Sequence, residues 1–397
     1  MTDSTADAKA LVTPPRTPGA APAPKIVEVA RKHGVSPFRQ LREMVLLNRG
    51  RGRIAPHEYY SIGLYDPAIS PQEKREYVGV LGSYDVNVHI SPPKLTGPRF
   101  FVQDKVMYTA LLHELGFAAT RTQAVAQAAR LFGRIPALAS PAEIKDFLLH
   151  KAVYPVFAKP ARGTGSFGSA LLSGVEAGEL VLGNGRRVSL DAFCDEILSD
   201  YPDGFLFQTA LTQHPEMRAL AGDAIGTVRV VTVRDQALPR PLYALWKLPS
   251  PRAMSDNFWQ EGSMVAEIGD GGLLGRCRIG TGLDGRWIDE HPVSGRRFDS
   301  FRVPHFDAAL DTASRAHALF PEFGVIGWDI AIGPDGPVII EANDNPFHGL
   351  YQLAYGRGIR NPEFTPVFDR TAERSEAMYA RKKELFEARN KAKRRNG

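Results

Sequence analysis

Cysteine is nearly absent. Cys194 and Cys277 are the only two in 397 residues. They lie far apart and near no His pair, which argues against a disulfide framework and a zinc site, and a reducing compartment such as the cytoplasm is expected. Long apolar runs are missing as well. No stretch reaches the roughly 18 residues that a membrane-spanning helix needs. The first residues carry no apolar core of a secretory signal. A basic body is also lacking. Net charge is +5, but Arg374 to Arg395 holds nine Lys/Arg against three Glu, leaving the remainder at −1. That balance does not suggest nucleic-acid binding. No Ser/His/Asp or Cys/His arrangement for nucleophilic catalysis is recognisable.

What remains is a chain 43% apolar, able to bury a large core in two or three subdomains. Residues 1–24, rich in Ala, Pro and Thr, read as a disordered arm. Residues 25–95 read as mostly helical, with breaks near Gly34 and Pro37 and a helix from Ser70-Pro71 to about Leu81. Arg49-Gly-Arg-Gly-Arg53 reads as a solvated loop, with anion binding as the sharper alternative. Asp104 can cap a helix that Gly116 ends, with Met107, Leu111 or Leu112 and Leu115 as its buried stripe. Lys105 falls in the first turn, where a cation opposes the helix dipole, so an anionic partner is favoured. Helical and strand-like pieces alternate from there to about His150, and residues 371–397 form a basic tail. The tail could meet anionic lipid; a solvated helix is the plainer reading.

Two stretches carry the chemistry. The strand Tyr154 to Lys159 runs into a loop holding Gly163, Thr164, Gly165, Ser166 and Gly168, and a second strand follows. A dinucleotide fold would open a helix there. Strand, glycine loop, strand instead suggests a flap whose backbone N–H groups approach phosphates, with Lys159 reaching them from below. Nearer the C-terminus, the turn Gly333-Pro334-Asp335-Gly336 joins two apolar runs into a hairpin. Alternation puts Ile326, Trp328, Ile330 and Ile332 with Val338, Ile340 and Ala342 on a core face. Asp329, Glu341 and Asn343 take the other face. The acids meet if Ile332 pairs with Val338, and face apart if Ile332 pairs with Pro337; the first register is expected. Paired carboxylates and an amide suit Mg²⁺ (or Mn²⁺) that holds ATP. Arg229, inside the apolar strand Thr227 to Val233, should have a fixed anionic partner.

The order strand–lysine–glycine loop, arginine strand, Asp…Glu-x-Asn resembles the ATP-grasp superfamily. More narrowly, TVRVVTV, GWDIAIGPDGPVIIEAN and HPVSG resemble its sugar-transfer-associated branch, over about residues 40–355. The resemblance implies an α+β fold of two lobes clasping ATP, with 96–150 as a linker or first lobe, 151–215 as a small lobe with the glycine flap and 216–370 as a large lobe with the Mg²⁺ site, here preceded by a helical region in place of the usual βαβ domain. It implies Lys105 and Lys159 on phosphates and Arg229 on the transferred phosphoryl or the intermediate, with Lys159 and Arg229 as the catalytic pair. It implies Asp329, Glu341 and Asn343 on Mg²⁺. Where relatives carry an acidic hinge residue for the ribose, this chain has Gln208-Thr209, with Glu216 as a substitute. His214, Asn257, His291, Arg296 and His348 are candidate substrate contacts. The implied activity is an ATP-dependent ligase. It joins a small-molecule or saccharide-linked carboxylate to an amine or other nucleophile through an acylphosphate, in polysaccharide or cell-envelope synthesis. A kinase acting on a hydroxyl and a non-catalytic ATP-binding assembly factor are the alternatives.

Overall fold

The computed structural model describes residues 24–162, 168–250, 253–256, 258–259 and 261–395. The arm expected over 1–24 therefore lies, except for Pro24, outside the described residues. Five helices follow: α1 (Lys25–His33), α2 (Pro37–Arg49), α3 (Pro56–Ile62), α4 (Pro71–Lys74) and α5 (Val80–Ile90). Ser36 and Ser70 cap α2 and α4 ahead of a proline at the first helical position. The helix expected from Ser70 to about Leu81 is instead two, because the chain extends at Gly79 before α5 begins. Val29, Met44, Leu47 and Tyr59 give this region its own small core.

Two more helices, α6 (Arg99–Gln103) and α7 (Lys105–Glu114), lead into the first lobe. Asp104 caps α7 by accepting from Val106 and Met107 N–H groups. The stripe that α7 buries is Val106, Tyr108, Thr109 and Leu112; Met107 and Leu115 are exposed, so the expected stripe is corrected by about a quarter turn. The lobe itself comprises β1 (Thr122–Ala126), β2 (Ala137–Leu138), α8 (Pro141–His150), β3 (Val156–Pro160), β4 (Ala170–Glu176), β5 (Glu179–Leu182), β6 (Arg187–Ser189), α9 (Leu190–Asp200) and β7 (Phe205–Thr209). Its strand order is β2-β1-β7-β3-β4-β5-β6. The sheet thus takes in Thr122–Ala126 from the 96–150 segment, because β1 pairs antiparallel with the distant β7. Helices α8 and α9 bury Ile144, Phe147 and Phe193 against Ala158, Leu172 and Phe207. By alternation the opposite face presents Phe157, Lys159, Leu171 and Gln208.

The second lobe comprises α10 (Pro215–Ala221), β8 (Thr227–Val233), β9 (Arg240–Leu248), β10 (Met264–Ile268), β11 (Leu274–Ile279), β12 (Arg286–Ile288), α11 (Phe306–Ala318), β13 (Val325–Gly333), β14 (Gly336–Asn343), α12 (Gly349–Tyr355) and α13 (Thr365–Arg395). Its sheet has the order β12-β11-β10-β9-β8-β13-β14. One face packs Val228, Trp246, Ile326 and Trp328 under α11. The other packs Val231, Val233, Tyr243 and Val325 with side chains of α5, α12 and α13. Large apolar side chains buried this completely contribute about 1.5–3 kcal/mol each. The apolar cover on this second face reaches only part of each strand. At the other end of the same face stand Thr227, Arg229, Lys247 and Asp329.

The β13–β14 hairpin resolves the question of register. Ile332 pairs with Pro337, yet Asp329 pairs with Glu341 and Gly327 with Asn343. A β-bulge at Ile340 reconciles the two pairings, because one extra residue in β14 shifts the alternation. The expected core face of β14 is corrected accordingly. Ile339 and Ala342 are buried in the core, while Ile340 joins Glu341 on the cavity side.

Candidate functional site

A cavity of about 1220 Å³ lies between the two sheets. Lys159 and Gln208 line it from the first sheet, and Arg229, Lys247, Asp329 and Glu341 from the second. Neighbouring strands set Arg229, Asp329 and Glu341 in one row. Arg229 stands across from Asp329 on β13, and Asp329 across from Glu341 on β14. Lys247 stands across from Thr227.

Asp329 is held by two cations. Arg229 grips both of its oxygens, with Nη2 at 2.8 Å from Oδ2. Lys247 Nζ donates to the same Oδ2 at 3.1 Å. Lys247 also pairs with Asp256 at 2.9 Å, and Thr227 Oγ1 donates to Asp256 as well. Two guanidinium or ammonium charges thus balance two carboxylates in a buried quartet. Burial alone would raise the Asp329 carboxyl, but Arg229 and Lys247 outweigh it and hold the group well below the carboxylate range. Two side-chain cations thus flank the carboxylate expected beside Mg²⁺. Lys247 escaped the sequence reading, although the rule that singled out Arg229, a charge inside an apolar strand, applies equally to Lys247 in Leu242 to Leu248.

Lys159 is buried on β3, 7% exposed, and makes no ion pair among the described residues. Burial, helped by Lys105, lowers its pKa to about 8. Lys105, the first residue of α7, reaches Glu341 at 3.3 Å. The buried Nδ2 of Asn343 finds no partner among the described residues, so this cavity-lining amide is free to turn either end to a ligand. Among the described residues no three His, Cys, Asp or Glu side chains cluster to hold a metal alone. Mg²⁺, however, is usually held by one or two carboxylates together with substrate phosphates. Glu341 and Asn343, two residues apart on β14, fit that requirement. Asp329 Oδ1 accepts only from Arg229, which leaves it a lone pair with which the carboxylate could join them.

The other sequence candidates separate. Thr209 and His291 line the cavity. His291 Nδ1 accepts from the Val293 and Ser294 N–H groups, leaving Nε2 without a partner among the described residues, and burial lowers its pKa. Gly163, Thr164, Gly165, Ser166 and Asn257 lie outside the described residues. Gly168, with φ +73°, is described but does not line the cavity. His214 caps α10 by accepting from the Glu216 N–H, and Glu216 is exposed outside the cavity. Arg296 is exposed on its loop and likewise outside it.

His348 is placed differently from the expectation. It is fully buried, with Nδ1 at 2.9 Å from the Tyr243 hydroxyl and Nε2 at 2.9 Å from Asn87 Oδ1. Burial and the Arg229 charge hold its pKa down to about 3. Asn87 Nδ2 donates to Asn345 Oδ1 at 2.6 Å, and Ser83 accepts from the His348 N–H at 3.0 Å. Arg99 and Gln103 hold Asp344. The helical N-terminal region therefore clamps the loop that follows Glu341-x-Asn343.

The family described as sugar-transfer associated ATP-grasp matches residues 98–365. No curated protein matches the chain. Among solved structures it is similar to L-amino acid ligase from Bacillus licheniformis, at 12% identity and a TM-score of 0.33, over 61% of this chain and 40% of that one. D-alanine-D-alanine ligase from Coxiella burnetii aligns at 10% identity and a TM-score of 0.40, over 74% and 62%. The ATP-grasp ligase PsnB, complexed with minimal precursor, Mg and ADP, aligns at 17% and 0.35, over 71% and 62%. These likenesses concern fold alone, and the chain spans less than two thirds of each of the three proteins.

Proposed function

The chain belongs to the sugar-transfer associated ATP-grasp family, and from that premise we propose that it is an ATP- and Mg²⁺-dependent ligase. It would activate a carboxylate as an acylphosphate and join it to an amine or another nucleophile. The observation that carries the reading is electrostatic. A buried ammonium, Lys159, and a carboxylate–amide pair, Glu341 and Asn343, line one cavity from opposite lobes. An unpaired buried cation is costly unless an anion visits it, and a carboxylate beside an amide calls for a hard cation. A phosphate chain with its metal satisfies both.

The roles follow from the charges. Lys105 and Lys159 bind phosphate oxygens. Arg229 stays protonated because Asp329 outweighs burial, so it offers a fixed charge to the transferred phosphoryl. Glu341 and Asn343 would hold Mg²⁺, which when bound supplies charge neutralisation between phosphates. Phosphoryl transfer depends on positioned cations more than on a strong base, so the absence of an obvious base among the described lining residues is no obstacle. Gln208 and Thr209 are proposed at the nucleotide, and His291 toward the acceptor. The family description motivates a substrate linked to polysaccharide or cell-envelope synthesis, and a cytoplasmic setting belongs to the same proposal.

The experiment is to incubate the full chain with Mg-ATP and fractionated small-molecule extract, with hydroxylamine as a trap. Release of ADP and phosphate that depends on one fraction, together with a hydroxamate of its carboxylate, is expected. A phosphorylated product untouched by hydroxylamine would give the kinase reading instead. Tight ATP binding with no ADP from any fraction would leave a binding protein.

A further inference from the structure

The chain's positive charge is concentrated in two segments. Residues 25–53 hold eight Lys/Arg against two Glu and residues 374–395 nine against three, so everything else sums to −7. The first segment also turns apolar side chains outward. Helix α2 already buries Met44 and Leu47 in the N-terminal core. On its opposite side Phe38, 78% exposed, stands in line with Leu41 and Val45 at i, i+3 and i+7, flanked by Arg42 and Arg49. One buried stripe is enough to fold a surface helix. A second apolar stripe in water stabilises nothing and marks an interaction site.

The face extends beyond α2. Gly79 N–H donates to Gly52 O at 2.8 Å, and a Cβ at Gly82 would come within 2.1 Å of that same oxygen. These contacts seat the 49–53 loop on the first turn of α5. There Val80, Leu81 and Tyr84 are exposed too. Arg53 is tied to Asp85 at 2.9 Å. Among the described residues no carboxylate pairs with Arg42, Arg49 or Arg51.

We infer that this face of α2 and α5 docks on an anionic lipid bilayer. Apolar side chains enter the headgroup boundary while the unpaired guanidiniums meet lipid phosphates. The charge selects this occupant. A second copy of the chain on a two-fold axis would set Arg42 and Arg49 against their own mates, a like-charge contact. The inference does not depend on the ligase reading.

The test is sedimentation of the full chain with vesicles of phosphatidylcholine alone, and of phosphatidylcholine with phosphatidylglycerol. Binding only to the second kind, weakening as salt rises, is expected. Leu41→Glu/Val45→Glu and Arg42→Glu/Arg49→Glu, both at exposed positions, should each lower partition about tenfold or more. Their melting temperature and ATP affinity should not change. No binding by the unmodified chain would overturn the proposal. So would unchanged partition of both variants, which would assign lipid binding to α13. Self-association without vesicles that Leu41→Glu/Val45→Glu abolishes would make the face an interface between copies and overturn it as well.

Discussion

Lys159 must be charged to hold phosphate, yet its surroundings lower its pKa to about 8, first by burial and then through Lys105. The free protein then carries this charge on about nine-tenths of molecules at pH 7 and about one-tenth at pH 9. Deprotonation removes the cation, so activity falls as pH rises. kcat/KM for ATP should drop about tenfold over that interval, since it reports the free protein. kcat reports the bound complex, where phosphate oxygens favour the ammonium, and should hold to higher pH. Lys159→Arg keeps a charge that does not titrate in this range, so its profile should be flat, at a lower level set by the altered geometry. Lys159→Met removes the charge at every pH and should cost about 100-fold, or roughly 3 kcal/mol of barrier. Steady-state ADP release across the pH range measures all three. A flat profile for the unmodified protein, or the same fall in Lys159→Arg, would refute the assignment of this charge to the phosphates.

Two further outcomes follow from the charges in the cavity. Lys247→Met leaves Asp329 and Asp256 short of a cation and should destabilise the lobe by about 3–5 kcal/mol; Lys247→Met/Asp256→Asn restores neutrality and should cost less than the two single changes added together. Chemical denaturation measures the cycle, and strict additivity would mean that the quartet does not act as a unit. Glu341→Gln keeps shape and should leave the melting temperature unchanged while abolishing turnover and the Mg²⁺-dependent part of nucleotide affinity. Calorimetry with and without Mg²⁺ reads this directly, and an unaltered Mg²⁺ dependence would remove Glu341 from the metal site.

Local pattern was legible where a residue's role depends on its neighbours in the chain. Alternation marked β8 and β13 as strands, so Arg229 and Asp329 were singled out without knowledge of each other. Asp104 and the Pro at the start of α4 announced helix starts through chemistry that acts within three residues. The hairpin ending in Glu341-x-Asn343 was visible for the same reason. The bulge at Ile340 was not, because neither strand alone says where the pair takes up an extra residue.

The family resemblance implied the two-lobed α+β class; sequence alone determined the helical start of the chain and which charged side chains sit inside apolar strands. These are properties of periodicity and composition over a few residues. Tertiary structure decided which charges meet. It brought Lys247 and Arg229 together on Asp329, and it gave β1 a partner about 80 residues away in β7. It also drew His348 into a buried clamp with Asn87 and Tyr243, off the cavity lining. The physical reason is common to all three. A charge or a strand edge is satisfied by whatever folding places within a few ångströms, and that distance is not written in the spacing of residues along the chain.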